Sequence, residues 1–126
     1  MTDPLIEVLF VYGTLQPGDV RWHLLEPYVA GAGRPDAVAG ELFDTGLGYP
    51  AARFGAPAGL IHGRCYTLRS ELLDDALAAL DAEEHSVPGD YRRVVVTTRA
   101  GEVAWAYEYG SGLDVTPLPN GNWLGL

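Results

Sequence analysis

The chain has 126 residues, 48% of them hydrophobic, with 17 acidic against 8 basic groups and a formal net charge of −9. This is the size and apolar content of a globular domain rather than a disordered chain, and a single domain over residues 1–126 is expected. The acidic balance repels polyanions and argues against a nucleic-acid partner, while the absence of any lysine excludes Schiff-base chemistry and a P-loop.

In chain order, Met1 to Pro4 lacks the basic segment, apolar stretch and cleavage site of an export signal, so cytoplasmic residence is the expectation. Leu5 to Tyr12 reads as a strand suited to burial on both faces. Apolar runs such as Val8 to Val11 and Val94 to Val96 are far shorter than the ~20 residues that cross a bilayer, so no membrane partner is expected. Tyr12-Gly13-Thr14-Leu15-Gln16-Pro17-Gly18 has the composition of a tight loop. A short helix over Arg21 to Leu25 is expected to stop before Pro27.

Val38 to Asp44 and Ile61 to Thr67 read as strands, each with a glycine three residues before an aromatic. A glycine inside a strand marks a bulge, a bend or a close backbone approach, as a curved sheet requires. The stretch from Gly46 to Gly59 is rich in glycine and proline and reads as a connecting loop. Cys65 is the lone cysteine, unable to form an internal disulfide, and reads as a small buried hydrophobe.

Ser70 to Leu80 reads as a helix, with Ser70 as N-cap, acidic residues near its start, and Leu72, Leu73, Ala76, Leu77 and Leu80 on one face. Asp81-Ala82-Glu83-Glu84-His85 follows. Carboxylates at a helix C-terminal end oppose the dipole, so they are either solvated or retained for a use. Tyr91 to Thr98 and Glu102 to Tyr109 form a hairpin around Ala100-Gly101, the second strand having one strongly aromatic face, with Val103, Trp105, Tyr107 and Tyr109, that reads as cover for the core more readily than as a pocket wall. Pro117 to Leu126 reads as an irregular tail anchored by Trp123.

The three histidines, His23, His62 and His85, are scattered without HxH or HExxH spacing, so no metal is expected. There is no Ser-His-Asp or Cys-His signature either. Glu83 and Glu84 are adjacent, and local structure alone allows either to face inward. Arg93 reads as a structural ion pair more readily than as a receptor for a substrate carboxylate, and His85 as a bystander more readily than as a proton relay.

Phe10-Val11-Tyr12-Gly13-Thr14-Leu15 with Gly18, Gly40-Glu41-Leu42-Phe43-Asp44 with Tyr49-Pro50, Gly63-x-Cys65-Tyr66, Leu80-Asp81-x-x-Glu84 and Tyr91-x-Arg93 form one series. In order and spacing this series resembles the gamma-glutamylcyclotransferase and AIG2-like family, which includes the gamma-glutamylamine cyclotransferases. The resemblance implies an α+β fold: a mixed, strongly curved, barrel-like sheet with flanking helices. It also implies a cofactor-free enzyme that releases an amine from a small gamma-glutamyl substrate while the glutamyl part cyclises to 5-oxoproline. In such an enzyme the Tyr12-Gly13-Thr14-Leu15 loop binds the glutamyl group through its backbone, Glu84 is the catalytic carboxylate, and Tyr91 lines the cavity.

The reaction suits those parts. The α-amine must lose a proton as it attacks its own γ-carbonyl, and the departing nitrogen must gain one. One carboxylate within ~3 Å can serve both transfers, an effect of ~10²- to 10⁴-fold. The alternative is a non-catalytic module that holds a small carboxylate or a partner's terminus in the same loop. A glycosidase-like carboxylate pair is a third reading that no spacing supports.

Overall fold

The computed structural model describes residues 6–13, 21–55 and 59–123. Its centre is β1 (Val8–Val11), which pairs antiparallel with β4 (Leu60–Thr67) and parallel with β6 (Val103–Glu108). β4 pairs with β2 (Arg34–Asp44), β2 with β3 (Pro50–Phe54), and β6 with β5 (Arg92–Thr97), giving the order β3-β2-β4-β1-β6-β5. The sheet curls until its two ends meet. Tyr109 N donates to Ala52 O at 2.9 Å, Arg99 N to Ala37 O at 2.7 Å, and Phe54 N to the Glu108 carboxylate at 3.0 Å. The result is a mixed sheet nearly closed into a barrel, with helices α1 (Trp22–Leu25) and α2 (Leu73–His85).

Alternation along β1 explains why both faces are apolar. Leu9 and Val11 point outward into a layer with Leu25, Leu73, Ala76 and Leu80 from the helices. Phe10 and Tyr12 point inward, with Leu42, Ile61, Cys65 and Val96. β6 divides in the same way. Tyr107 and Trp105 lie under the helices, while Ala104 and Ala106, both fully buried, face the interior. Small side chains there leave room for the aromatic ones of β1 in a narrow barrel.

Three expectations are corrected. The stretch between Gly46 and Gly59 holds β3, whose Pro50 sits at the first residue of an end strand, where its missing N–H is tolerated. Ser70 makes no side-chain cap: Ser70–Leu72 is a 3-10 turn, and the α-helix runs from Leu73 to His85, five residues beyond Leu80. Helix-forming Ala82, Glu83 and Glu84 carry it on, so the acidic cluster lies within its last turns rather than after it. The first α-helix ends at Leu25, before Pro27, as expected, and the chain then tightens into a 3-10 turn over Glu26–Tyr28 with Pro27 in its first positions. The tail contributes a two-residue strand, β7 (Thr116–Pro117), paired with β2, and Gly121 O accepts from His62 N at 2.7 Å. Trp123 packs against the interior cluster, as an anchor should.

Gly40 and Gly63 both mark close approaches. A Cβ on Gly63 would lie 2.1 Å from Val11 O, and one on Gly40 2.4 Å from Arg53 O. Gly63 thus lets β4 lie against the end of β1 where the chain leaves the sheet for the Tyr12-Gly13 turn. Gly63→Ala is expected to destabilise the protein by about 1–3 kcal/mol or more through overpacking against backbone. Urea unfolding of the variant measures this, and an unchanged midpoint would mean that the strands can separate at that point without cost.

Candidate active site

The buried face of α2 is Leu73, Ala76, Leu80 and Glu84. The spacing of three, four and four is the stripe that a helix presents to a core, and Glu84 occupies its last position. A carboxylate therefore stands where the pattern calls for an apolar residue, with 6% of its surface exposed. Glu83, one position round the helix, is half-buried. His85 is exposed and is the final residue of the helix.

Glu84 faces a cleft whose non-atom space, with open solvent at the mouth included, is about 380 Å³. The end of β1 and the turn after it, from Phe10 to Gly13, form one wall. Tyr49 and Pro50 at the start of β3, together with Tyr91 and Tyr107, form the remainder, and Arg21 stands at the N-terminus of α1. Burial is the main influence on Glu84, pushing its pKa up to about 7; Arg21 opposes the shift, and Glu83 and Asp81 add to it.

The Arg21 guanidinium bridges the acidic pair. Its Nη1 lies 3.2 Å from Glu83 Oε1 and its Nη2 3.7 Å from Glu84 Oε1. The first contact is a hydrogen bond; the second is an ion pair longer than one. The tyrosines are tied down. Tyr12 donates its hydroxyl to the Tyr107 carbonyl, Tyr91 to Pro50 O at 2.7 Å, and Tyr49 to Pro88 O at 2.9 Å. Tyr107 donates to Asp81 Oδ1 at 2.7 Å. Burial raises the hydroxyl pKa of Tyr12, Tyr91 and Tyr107, so each remains a proton-bearing donor at neutral pH.

Of the residues singled out in the sequence, Glu84, Tyr12, Gly13 and Tyr91 meet at this cleft. Thr14 and Leu15 lie outside the described residues. Gly13 is not among the glycines with positive φ; what requires glycine there is the Pro50 ring, whose Cγ and Cδ would be 2.6 and 2.8 Å from a Cβ. Arg93 is engaged in structure: it holds both oxygens of Asp81, at 3.0 and 3.3 Å, and its guanidinium carbon lies 4.2 Å from the centre of the Trp105 ring. Sequence reasoning gave no site role to Arg21, Tyr49 or Pro50, and read the stripe containing Tyr107 as a core-covering face more readily than as a pocket wall. Tyr49-Pro50 was at least visible as a motif, whereas an arginine opening a short helix carried no signal.

Among the described residues, one group of possible metal ligands, Asp36, Cys65 and Glu102, lies together away from the cleft. Both Glu102 oxygens accept from Arg34, and burial pushes the Cys65 thiol up to about 12. The cluster is therefore an internal network around a protonated thiol. No helix among the described residues is long and apolar enough to cross a membrane.

Comparison with known proteins places this cleft in context. Residues 9–125 match the family model described as gamma-glutamyl cyclotransferase, AIG2-like. A Halalkalibacterium halodurans protein named as a putative gamma-glutamylcyclotransferase is 34% identical over an alignment of 93 residues that covers 69% of this chain and 80% of that one. The gamma-L-glutamyl-butirosin B gamma-glutamyl cyclotransferase of Niallia circulans is 32% identical over 109 residues, covering 80% of this chain and 65% of that one. Among solved structures, an AIG2-like protein of Mus musculus superposes with a TM-score of 0.61 at 20% identity, over 85% of this chain and 78% of that one. That likeness shows the shared fold.

The raised pKa of Glu84 has a consequence for stability. Below about pH 4.5 the group is protonated whether the chain is folded or not, and burial costs nothing by this route. As pH rises toward 7 the unfolded chain ionises freely while the folded one resists, so stability is lost across that window and stays lost above it. Glu84→Gln is therefore expected to be more stable than the parent at pH 8 by roughly 2–3 kcal/mol, the gap closing near pH 4. Denaturant unfolding at the two pH values measures it; an equal gap at both would show that Glu84 titrates as an ordinary surface carboxylate.

Proposed function

The chain belongs to the gamma-glutamyl cyclotransferase, AIG2-like family, and from that premise we propose that it cyclises the glutamyl part of a gamma-glutamyl compound to 5-oxoproline, releasing an amine or amino acid, with Glu84 as general base and then general acid. The observation that carries this reading is a buried carboxylate with a pKa of about 7, facing a cleft beside the turn that follows β1.

In the bound substrate the neutral α-amine attacks the γ-carbonyl carbon. The new N–C bond closes a five-membered ring, and the carbonyl π electrons move to oxygen. Glu84 accepts one proton from the attacking nitrogen and returns it to the nitrogen that departs as the C–N bond breaks, so the carboxylate ends as it began. A pKa near neutrality suits both transfers: the ionised form is available to accept, and the acid it becomes is not too weak to donate. By the family resemblance, the loop that opens at Gly13 would offer main-chain N–H donors to the developing oxyanion, and such donors need no rearrangement as charge builds. Four tyrosine rings and Pro50 shelter the reacting atoms from water.

The leaving group does not enter this description. The Niallia circulans relative is named for gamma-L-glutamyl-butirosin B; here gamma-glutamyl peptides, gamma-glutamyl amines and biosynthetic intermediates are the panel to try.

Release of 5-oxoproline from at least one member of such a panel is the expected result. Glu84→Gln, which keeps the shape but cannot cycle a proton, is expected to lower kcat by about 10²- to 10⁴-fold with KM little changed. The rate of the parent enzyme is expected to fall as pH drops through about 7, because protonation of Glu84 removes the base. Ligand-induced thermal stabilisation with no product from any compound would instead identify a binding module on the same fold.

A further inference from the structure

An enzyme with a net charge of −9 needs local positive charge to retain an anionic substrate, and the cleft supplies it at one place among the described residues that line it: Arg21. The neighbouring hydroxyl donors are committed. Tyr12, Tyr49 and Tyr91 donate to main-chain carbonyls, and Tyr107 donates to Asp81. The other candidate cation, Arg93, is closed on Asp81 and stacked on Trp105. The guanidinium of Arg21 has five N–H donors in a planar fork that matches a carboxylate. Glu83 takes one of them at 3.2 Å, which fixes the fork at the edge of the cleft.

Geometry then selects what the fork meets. In an α-amino acid the amine and the carboxylate are bonded to the same carbon. An amine hydrogen-bonded to Glu84 therefore carries its carboxylate into the immediate surroundings of Glu84, where Arg21 Nη2 stands 3.7 Å from Oε1. That separation is too long for a closed hydrogen bond between the two side chains, and it is small enough for one substrate head group to contact both.

We propose that Arg21 is the receptor for the α-carboxylate of the substrate's glutamyl group, held in position by Glu83. The inference rests on the cyclotransferase reading and adds to it a requirement for a free α-carboxylate next to the attacking amine. Compounds in which that carboxylate is an amide or is missing would be poor substrates, whatever their leaving group.

The test uses two gamma-glutamyl amides that differ only in bearing an α-carboxylate or an α-carboxamide, assayed with the parent chain, Arg21→Gln and Arg21→Lys. Arg21→Gln removes a cation that holds the Glu84 pKa down, so both compounds are expected to lose some rate at neutral pH and to recover it as pH rises. Beyond that shared loss, kcat/KM for the carboxylate compound alone is expected to fall by about a further 10- to 100-fold, mostly through KM. Arg21→Lys keeps the charge without the fork; a smaller loss, confined to the carboxylate compound, is expected, and this variant decides the matter where Arg21→Gln does not fold. An equal loss on both compounds, which is what a residue acting only through Glu84 would give, overturns the proposal, as does no loss on either.

Thermal stabilisation by 5-oxoproline against 5-oxoprolinamide is the readout that does not need turnover. A shift given by the acid and not by the amide, and abolished in Arg21→Gln, supports the assignment even if the parent chain turns over neither amide; absence of product across the whole gamma-glutamyl panel is what sinks the cyclotransferase reading. Persistence of that shift in Arg21→Gln, or its absence in the parent chain, overturns the assignment.

Discussion

The structure depends on placing one ionisable group where a helix would ordinarily place a leucine. Glu84 is the last member of the buried stripe Leu73, Ala76, Leu80 and Glu84, and packing of the first three against β1 and α1 determines where the fourth points. The cost of withdrawing a carboxylate from water is met partly by proton uptake and partly by Arg21. Both responses are chemically useful. A carboxyl group near half-ionisation at neutral pH can take and give a proton, and a cation held nearby can receive an anion.

The barrel supplies the other half of the cleft. Because β1 is flanked by β4 and β6, it is held from both sides, and the chain leaves it at Tyr12-Gly13 on the same cleft as Glu84 in the last turn of α2. Gly63 and Gly13 permit that arrangement for the same reason at two places: backbone or a proline ring occupies the space of a Cβ. Glycine near the cleft thus serves close packing of the protein on itself, and any service to a ligand is additional.

Much of this was legible in the sequence. Two-sided burial of β1 follows from its unbroken apolar run, and the close approaches follow from glycines inside strands. The hairpin from Arg92 to Glu108 was readable from alternation about a glycine turn. β3 was hidden because its five residues, Pro-Ala-Ala-Arg-Phe, have little β-propensity and lie between glycine-rich turns; tertiary burial of Ala51 and Ala52, not local preference, makes them a strand. The choice between Glu83 and Glu84 was open because the helix was expected to end at Leu80. Extending the spacing of Ala76 and Leu80 by one more turn reaches Glu84 and passes over Glu83, so the signal was present. Arg21 had no local signature, since its meaning lies in contacts to residues more than sixty positions away.

The anchoring of the tyrosines carries a consequence for how such a cleft changes over generations. Three of them, Tyr12, Tyr49 and Tyr91, are tethered to carbonyl oxygens of the main chain, and every residue type, proline included, offers that acceptor. Replacing the side chain of Pro88, or of another residue that contributes only its carbonyl, leaves the tether's chemistry intact. Where a ring leans on a carbonyl outside the lining, as Tyr49 does on Pro88, the lining is thus decoupled from the identity of the residue behind it, and such a position is free to change while the same ring goes on framing the cleft.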